Sequence, residues 1–253
     1  MRERVYRTEA VVIRRSDFGE ADRLLTLFTP QGKRRVVAKG ARKTTSRLAG
    51  HIELFTHTSL LLAVGRNLHI VTQSTILHSF EMLRGDLRRI GAAYYAAELI
   101  DRLTEEEDEN RPAFELLIAT LAALDTSRNV DLALRYFELH LLGYLGYRPQ
   151  LYHCAACQEA LTEEADRFSP ASGGVLCPRC AAGDRVAMPM GLNAFKLLRF
   201  LQAQPLEAID RLNISITVRE EAEQLLRAYI RRILERDLKS VAFLEEVNSG
   251  ARG

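Results

Sequence analysis

Cys154-Ala-Ala-Cys157 and Cys177-Pro-Arg-Cys180 stand nineteen residues apart, the spacing C-x2-C-x19-C-x2-C of a four-thiolate zinc site. Each pair forms a tight turn that points two sulfurs at one ion, and Gly173-Gly174 lets the chain reverse before the second pair. Four thiolates complete a tetrahedral shell and leave no position for water or substrate. The expected ion, Zn2+, therefore holds structure and does not activate a nucleophile. A dithiol redox pair, plain buried cysteines and an iron–sulfur cluster are the competing readings of the same four residues. His153 precedes the first ligand but is not needed by a shell already complete, and it reads as a surface histidine.

A second group of residues could hold phosphates. Lys33, Arg34 and Arg35 follow Gly32, and Lys39, Arg42, Lys43 and Arg47 follow shortly after. A strand over residues 34–39 would put cations at both of its ends, a track that Arg14 and Arg15 could extend. The other reading is a solvated charged face. Charge along the chain favours the track. Residues 1–80 hold 14 Lys and Arg against 6 Asp and Glu, whereas residues 81–253 hold 21 against 27, so a balance of +8 opens a chain whose remainder carries −6. A compact module with that field attracts polyanions, of which nucleic acid is the commonest. Sequence preference should be weak: the candidate stacking platforms Phe18, Phe28 and Phe55 each read more readily as core.

Catalytic signatures are missing. Gly32-Lys33 sits where a phosphate-binding loop would need Gly at position 27 and Ser or Thr at 34, but the chain has Leu27 and Arg34. No nucleophile elbow, zinc-protease pair or dinucleotide fingerprint occurs, and His140 lies on an apolar stripe without an acid or nucleophile beside it in sequence. The chain is expected not to be an enzyme.

The elements that position these residues change character near residue 80. Before it, β-branched runs over 8–15, 23–29, 34–39, 52–62 and 68–74 alternate with turn residues, and five short strands fit a small closed barrel of the oligonucleotide-binding type, with an SH3-like barrel as the alternative. After it, apolar residues recur at helical spacing: Leu87, Ile90, Tyr94, Ala97 and Ile100; Phe114, Leu117, Leu121 and Leu124; Leu134, Phe137, Leu141 and Leu145. The acidic residues 105–108 read as a solvated loop, and Thr217 with Glu220 as a capping box opening a helix buried along Ala222, Leu225, Tyr229 and Ile233. The predicted fold is α+β: a five-stranded barrel over 1–80, an α-helical domain over 81–253, and a zinc-binding insert over 153–188. No run approaches the ~20 apolar residues of a membrane span, and residues 1–7 lack the apolar core of a secretory signal, so a cytoplasmic chain without membrane contact is expected.

The run from Ala10 to Arg14, the segment from Gly19 to Lys33, Ala38-Lys-Gly-Ala-Arg42 with Ser46, the hinge Phe80-Glu-Met-Leu-Arg-Gly-Asp86, and Leu238-Lys-Ser240 with Phe243-Leu244 together resemble the bacterial RecO recombination mediators. The resemblance implies an oligonucleotide-binding barrel, a helical domain and, in many members, an inserted four-cysteine zinc module. It also implies DNA repair and homologous recombination at the nucleoid: binding single- and double-stranded DNA, annealing complementary strands, and, with RecR, loading RecA onto strands coated by single-stranded-DNA-binding protein. The family binds the acidic, apolar tail of that coating protein through its helices. Such a pocket needs an apolar floor with a cation at the rim, and Arg135, Arg148, Arg199 or Arg227 each qualify. A zinc-ribbon regulatory or RNA-associated adaptor is the alternative from another class, and a metal-dependent enzyme a third.

Overall fold

The structure, a computed structural model, describes residues 5–46, 48–165, 167–235 and 238–250, the last three of these as backbone alone. These residues fall into two compact units: one runs to Thr126 and resumes at Ser240, and the other is Ser127–Lys239.

The first unit is built on a closed barrel of β1 (Val5–Phe18), β2 (Asp22–Thr29), β3 (Gly32–Ala38), β4 (His57–Ala63) and β5 (His69–His78), in the order β1-β2-β3-β5-β4. Alternation drives it. Ala10, Val12, Leu25, Leu27, Val36, Ala38, Leu60, Leu62 and Val71 point inward and exclude water, while the residues between them face out. The long β1 pairs with β2 on one side and β4 on the other, and a bulge between Val12 and Arg14 gives it the bend this requires. Antiparallel ladders join all neighbours except β3 and β5, which run parallel at Val36↔His69 and Val37↔Ile70 and close the barrel. This is the connectivity of the oligonucleotide-binding barrel, and the SH3-like alternative is set aside. Ile52, expected inside a strand, instead ends a 3-10 turn (Ala49–Ile52) and plugs the barrel core.

Helices α1 (Glu81–Arg84), α2 (Leu87–Leu103), α3 (Arg111–Thr126) and α8 (Lys239–Gly250) complete this unit. The stripe predicted on α2 needs correction in part: Ala97 and Ile100 are buried as expected, but Leu87 and Tyr94 are exposed, and the buried face runs through Ala92, Ala93, Tyr95, Ala96 and Leu99 beside Gly91. The reason is close packing by small residues. A Cβ on Gly91 would come within 3.1 Å of Leu244 and 3.2 Å of Phe243, so α8 lies against the bare backbone. Tyr94 instead turns its ring edge-on to Phe55, centroids 4.9 Å apart. The acidic residues 105–108 are exposed but not merely solvated: Glu107 N–H donates to the Lys33 carbonyl (3.1 Å), and Gly32 lies so near Asp108 that a Cβ would meet its carbonyl at 2.4 Å.

His57 illustrates how the barrel and α3 fit. Its side chain is only 7 % exposed, its Nε2 lies 3.1 Å from a Glu9 carboxylate oxygen, its ring stacks on His78, and Phe114 of α3 meets it edge-on. Burial lowers its pKa, outweighing the upward pull of Glu9. A histidine kept neutral in the fold takes up its proton more readily once unfolded, so this contribution is intact above the ordinary histidine range and is lost as pH falls through it. Melting temperature should therefore drop between pH 7.5 and 5.5, and H57Q should show a shallower drop in parallel scans; an identical pH dependence would remove His57 as its source.

The second unit holds α4 (Val130–Tyr144), a small sheet of β6 (Arg167–Ser169), β7 (Gly174–Leu176) and β8 (Met188–Pro189), the one-turn α5 (Pro178–Ala181), α6 (Leu192–Ala203), a 3-10 turn (Leu206–Arg211) and α7 (Ile216–Leu234). Helix α7 begins two residues earlier than the capping box implies, after Ser215, and makes no side-chain cap; its buried line is Ala222, Leu225, Leu226, Tyr229 and Ile230. Among the described residues no helix is long and apolar enough to cross a membrane.

Candidate metal centre and nucleic-acid interface

The four cysteines come from two knuckles braced by the small sheet. In the first, Cys154 N–H donates to the Glu159 carbonyl (2.8 Å) and Gln158 N–H to the Cys154 carbonyl (2.9 Å), folding residues 154–159 into a tight loop. In the second, Cys177 precedes α5, where Pro178 starts the turn with its fixed φ, and Ala181 N–H returns to the Cys177 carbonyl. Gly174 sets the distance between them: Val175 N–H donates to the Gln150 carbonyl (2.8 Å), and any Cβ on Gly174 would sit 2.3 Å from that oxygen. Arg179 and Glu159 pair across the knuckles at 2.8 Å.

All four sulfurs lie within 4.8 Å of one another, with Cys157 and Cys177 Sγ 3.8 Å apart. A tetrahedron with metal–sulfur bonds of about 2.3 Å has edges of about 3.8 Å, so the donor set fits a metal ion. Its electrostatics agree. Burial pushes the Cys154 thiol up, but backbone N–H groups of Cys157, Cys177 and Ala156 together hold it down to about 6. Cys180, hydrogen-bonded to the sulfurs of Cys177 and Cys157, is pushed up to about 12. One thiolate forms readily and the last resists, because adjacent negative sulfurs repel; a divalent cation removes that repulsion. His153 is exposed, and its ring is not among the clustered donors.

The predicted phosphate ligands divide into two groups. Arg14 and Arg35 both stand opposite Thr26 in the barrel register, one on each side, which puts Arg14, Thr26 and Arg35 in a row across the outer face of three strands. The Arg14 side chain is 72 % exposed, with Asp101 a loose 3.9 Å away, and Arg35 is exposed. Lys39, Arg42 and Lys43 follow β3 in a loop fastened to the β1–β2 turn, where Gly40 N–H donates to the Asp22 carboxylate (2.7 Å) and Arg42 N–H to the Ala21 carbonyl (2.9 Å). Arg42 pairs with Asp17 at 3.3 Å and stays partly open; Lys39 and Lys43 are exposed.

Three of the others are spent within the fold. Lys33, read as a phosphate ligand, is 8 % exposed, and its ammonium donates to the Asp101 carbonyl (2.6 Å) at the end of α2. Arg34 pairs with Glu107 at 3.1 Å, and Arg15 pairs with Glu53. Arg47 lies outside the described residues. Phe28 and Phe55 are core, as read, but Phe18, the last residue of β1, is 45 % exposed beside the β1–β2 turn, whose Gly19 carbonyl accepts from Arg42 (3.3 Å). Arg66, at the tip of the β4–β5 turn, is an exposed cation outside the predicted set, because it stands alone between turn residues and belongs to no charge run. In the second unit, Arg135 is buried against Glu138 (2.7 Å) and Glu223 (3.3 Å), so it cannot rim a pocket. Arg199 lies over the Phe195 and Tyr152 rings, whereas Arg148 is exposed. His140 Nε2 donates to the Leu201 carbonyl (3.0 Å) and its ring stacks on Tyr136, and among the described residues no nucleophile is paired with it.

Family models bear on both parts of the chain. The one described as Recombination protein O N terminal matches residues 1–80, and the one described as Recombination protein O C terminal matches 84–242. A DNA repair protein RecO of Roseiflexus sp. (strain RS-1) is 66% identical over 252 residues, covering 100% of this chain and 89% of that protein. Another from Dehalococcoides mccartyi (strain ATCC BAA-2266 / KCTC 15142 / 195) is 38% identical over 96% of each chain. A third, from Symbiobacterium thermophilum, is 36% identical over 97% of this chain. Similarity of this degree runs through barrel, cysteine knuckles and helices alike, and the chain belongs to the RecO family of DNA repair proteins.

Proposed function

We propose that this chain is a non-enzymatic recombination mediator that binds single- and double-stranded DNA, anneals complementary strands and, with RecR, helps load RecA onto strands coated by single-stranded-DNA-binding protein. In this reading residues 1–80 are the DNA-binding module, 81–253 the helical domain, and 153–188 an insert holding one structural Zn2+. The observation that carries it is the open cationic face of the barrel, where the Arg14–Arg35 row adjoins Lys39, Arg42 and Lys43. Phosphates meet this face by charge, and exposed Phe18 offers a stacking surface that every base can use. Annealing follows: cations lower the repulsion between two backbones, and weak sequence preference leaves the choice of partner to base pairing.

The closed thiolate set argues for scaffolding, since a catalytic ion keeps one coordination position open. For the tail of the coating protein, support comes from a cleft of about 370 Å³ between α6 and α7, floored by Leu197, Phe200, Ile214 and Val218 with Lys196 alongside. In this reading the protein acts in the cytoplasm at the nucleoid, where its DNA is.

The test is annealing of complementary oligonucleotides precoated with single-stranded-DNA-binding protein. Metal-loaded protein should speed pairing at least tenfold at low salt and lose the effect as salt rises. A rate equal to that of the coated strands alone would leave an adaptor as the better description.

A further inference from the structure

We propose that the acidic residues 105–109 form a strap that occupies one end of the barrel's basic strand and confines nucleic acid to the other end. This rests on the DNA-binding reading above. The sequence Glu-Glu-Glu-Asp-Glu lies between α2 and α3 and is exposed throughout, yet it is fastened to the start of β3. Glu106 forms a parallel bridge with Lys33, Glu107 N–H donates to the Lys33 carbonyl at 3.1 Å, and the Glu107 carboxylate accepts from Arg34 at 3.1 Å.

The backbone is shaped for this contact. Gly32, with φ +91, carries no Cβ where one would strike the Asp108 carbonyl at 2.4 Å, and Glu107 itself holds the left-handed region at φ 59, which a non-glycine residue adopts only when its surroundings hold it there. A loop that existed only to join two helices would need neither feature.

The consequence is electrostatic. Carboxylates along the strap oppose phosphate at the β2–β3 end, where Lys33 is already committed to Asp101 and Arg34 to Glu107. Among the described residues no such partner holds Lys39 and Lys43, so the strand is left with a blocked end and an open one. Arg34 is a cation in reserve, and DNA reaches it only by displacing Glu107.

The experiment compares full-length wild type, E107Q, R34A, E107Q/R34A and E106Q/E109Q for binding of a labelled oligo-dT across a salt series, with thermal unfolding to show that each is folded. R34A should bind within about twofold of wild type, because the guanidinium is engaged in the free protein. E107Q should bind about threefold to tenfold more tightly at low salt, with a salt slope steeper by about 0.7, the increment for one added single-strand phosphate contact. E107Q/R34A should return to the wild-type value, and E106Q/E109Q should gain no more than about twofold. An equal gain in E107Q/R34A or in E106Q/E109Q would reduce the strap to a diffuse field and overturn the proposal, as would no gain in E107Q. If wild type ignores the oligonucleotide in dilute salt, the DNA-binding reading fails first and takes the strap with it.

Discussion

Replacing Arg14, Arg35, Lys39, Arg42 and Lys43 together with alanine should flatten the salt dependence of single-strand binding. Five phosphate contacts on a single strand give a log–log slope of about −3.5, so wild-type affinity should fall about a hundredfold between 50 and 200 mM salt. The variant should lose less than about threefold over the same range, because few counterions remain to be released. The set leaves out Lys33 and Arg34, which a reading of charge runs alone would include, because their side chains are held by Asp101 and Glu107. Lys33 provides the contrast. K33A should keep the wild-type slope but lose about 1–3 kcal/mol of stability, the cost of leaving the Asp101 carbonyl without its donor. Anisotropy titrations and denaturant melts on the two proteins separate an interface from a tether; an unchanged slope in the fivefold variant would take these cations out of the interface.

Loss of one thiolate should be the most disruptive single change in the second unit. C154S removes the most buried of the four sulfurs, the one that also accepts from Cys177 N–H at 3.4 Å. Zinc bound by four thiolates contributes about 10–16 kcal/mol in isolated peptides, and few other interactions fix the two knuckles, whose strands are two or three residues long. C154S, or wild type treated with chelator, should lose protection of backbone amides across residues 150–190 in hydrogen exchange, and metal content should fall from one ion per chain toward none. On the proposed scaffolding role of the ion, the barrel cations should keep their salt slope. Full amide protection in metal-free protein would mean that the sheet and loops stand without an ion.

The features legible in the sequence are those fixed by local spacing. Two C-x2-C knuckles need only tight turns, and the folded chain brings all four sulfurs together. Barrel strands announce themselves by alternation, and β1, β2 and β3 begin or end within a few residues of where alternation starts or stops. Partners distant along the chain were not legible. Lys33 meets Asp101 68 residues away, and Arg34 meets Glu107 73 residues away, so nothing nearby distinguishes a tethered cation from a free one. Part of the buried face of α2 escaped for another reason: hydrophobic size points to Leu87 and Tyr94, while close approach of α8 selects Gly91, and the small residues Ala92, Ala93 and Ala96 are buried beside it. Phe18 shows the limit of composition, since an aromatic at a strand's last residue has already left the barrel wall.

Every strand of the barrel has a hydrogen-bonded neighbour on both sides. An unpaired row of backbone donors and acceptors would invite another copy to add its own strand and grow an extended sheet. Among the described residues the barrel lacks that template. Any contact between two such barrels has to be made by side chains, where salt and substitution can loosen it.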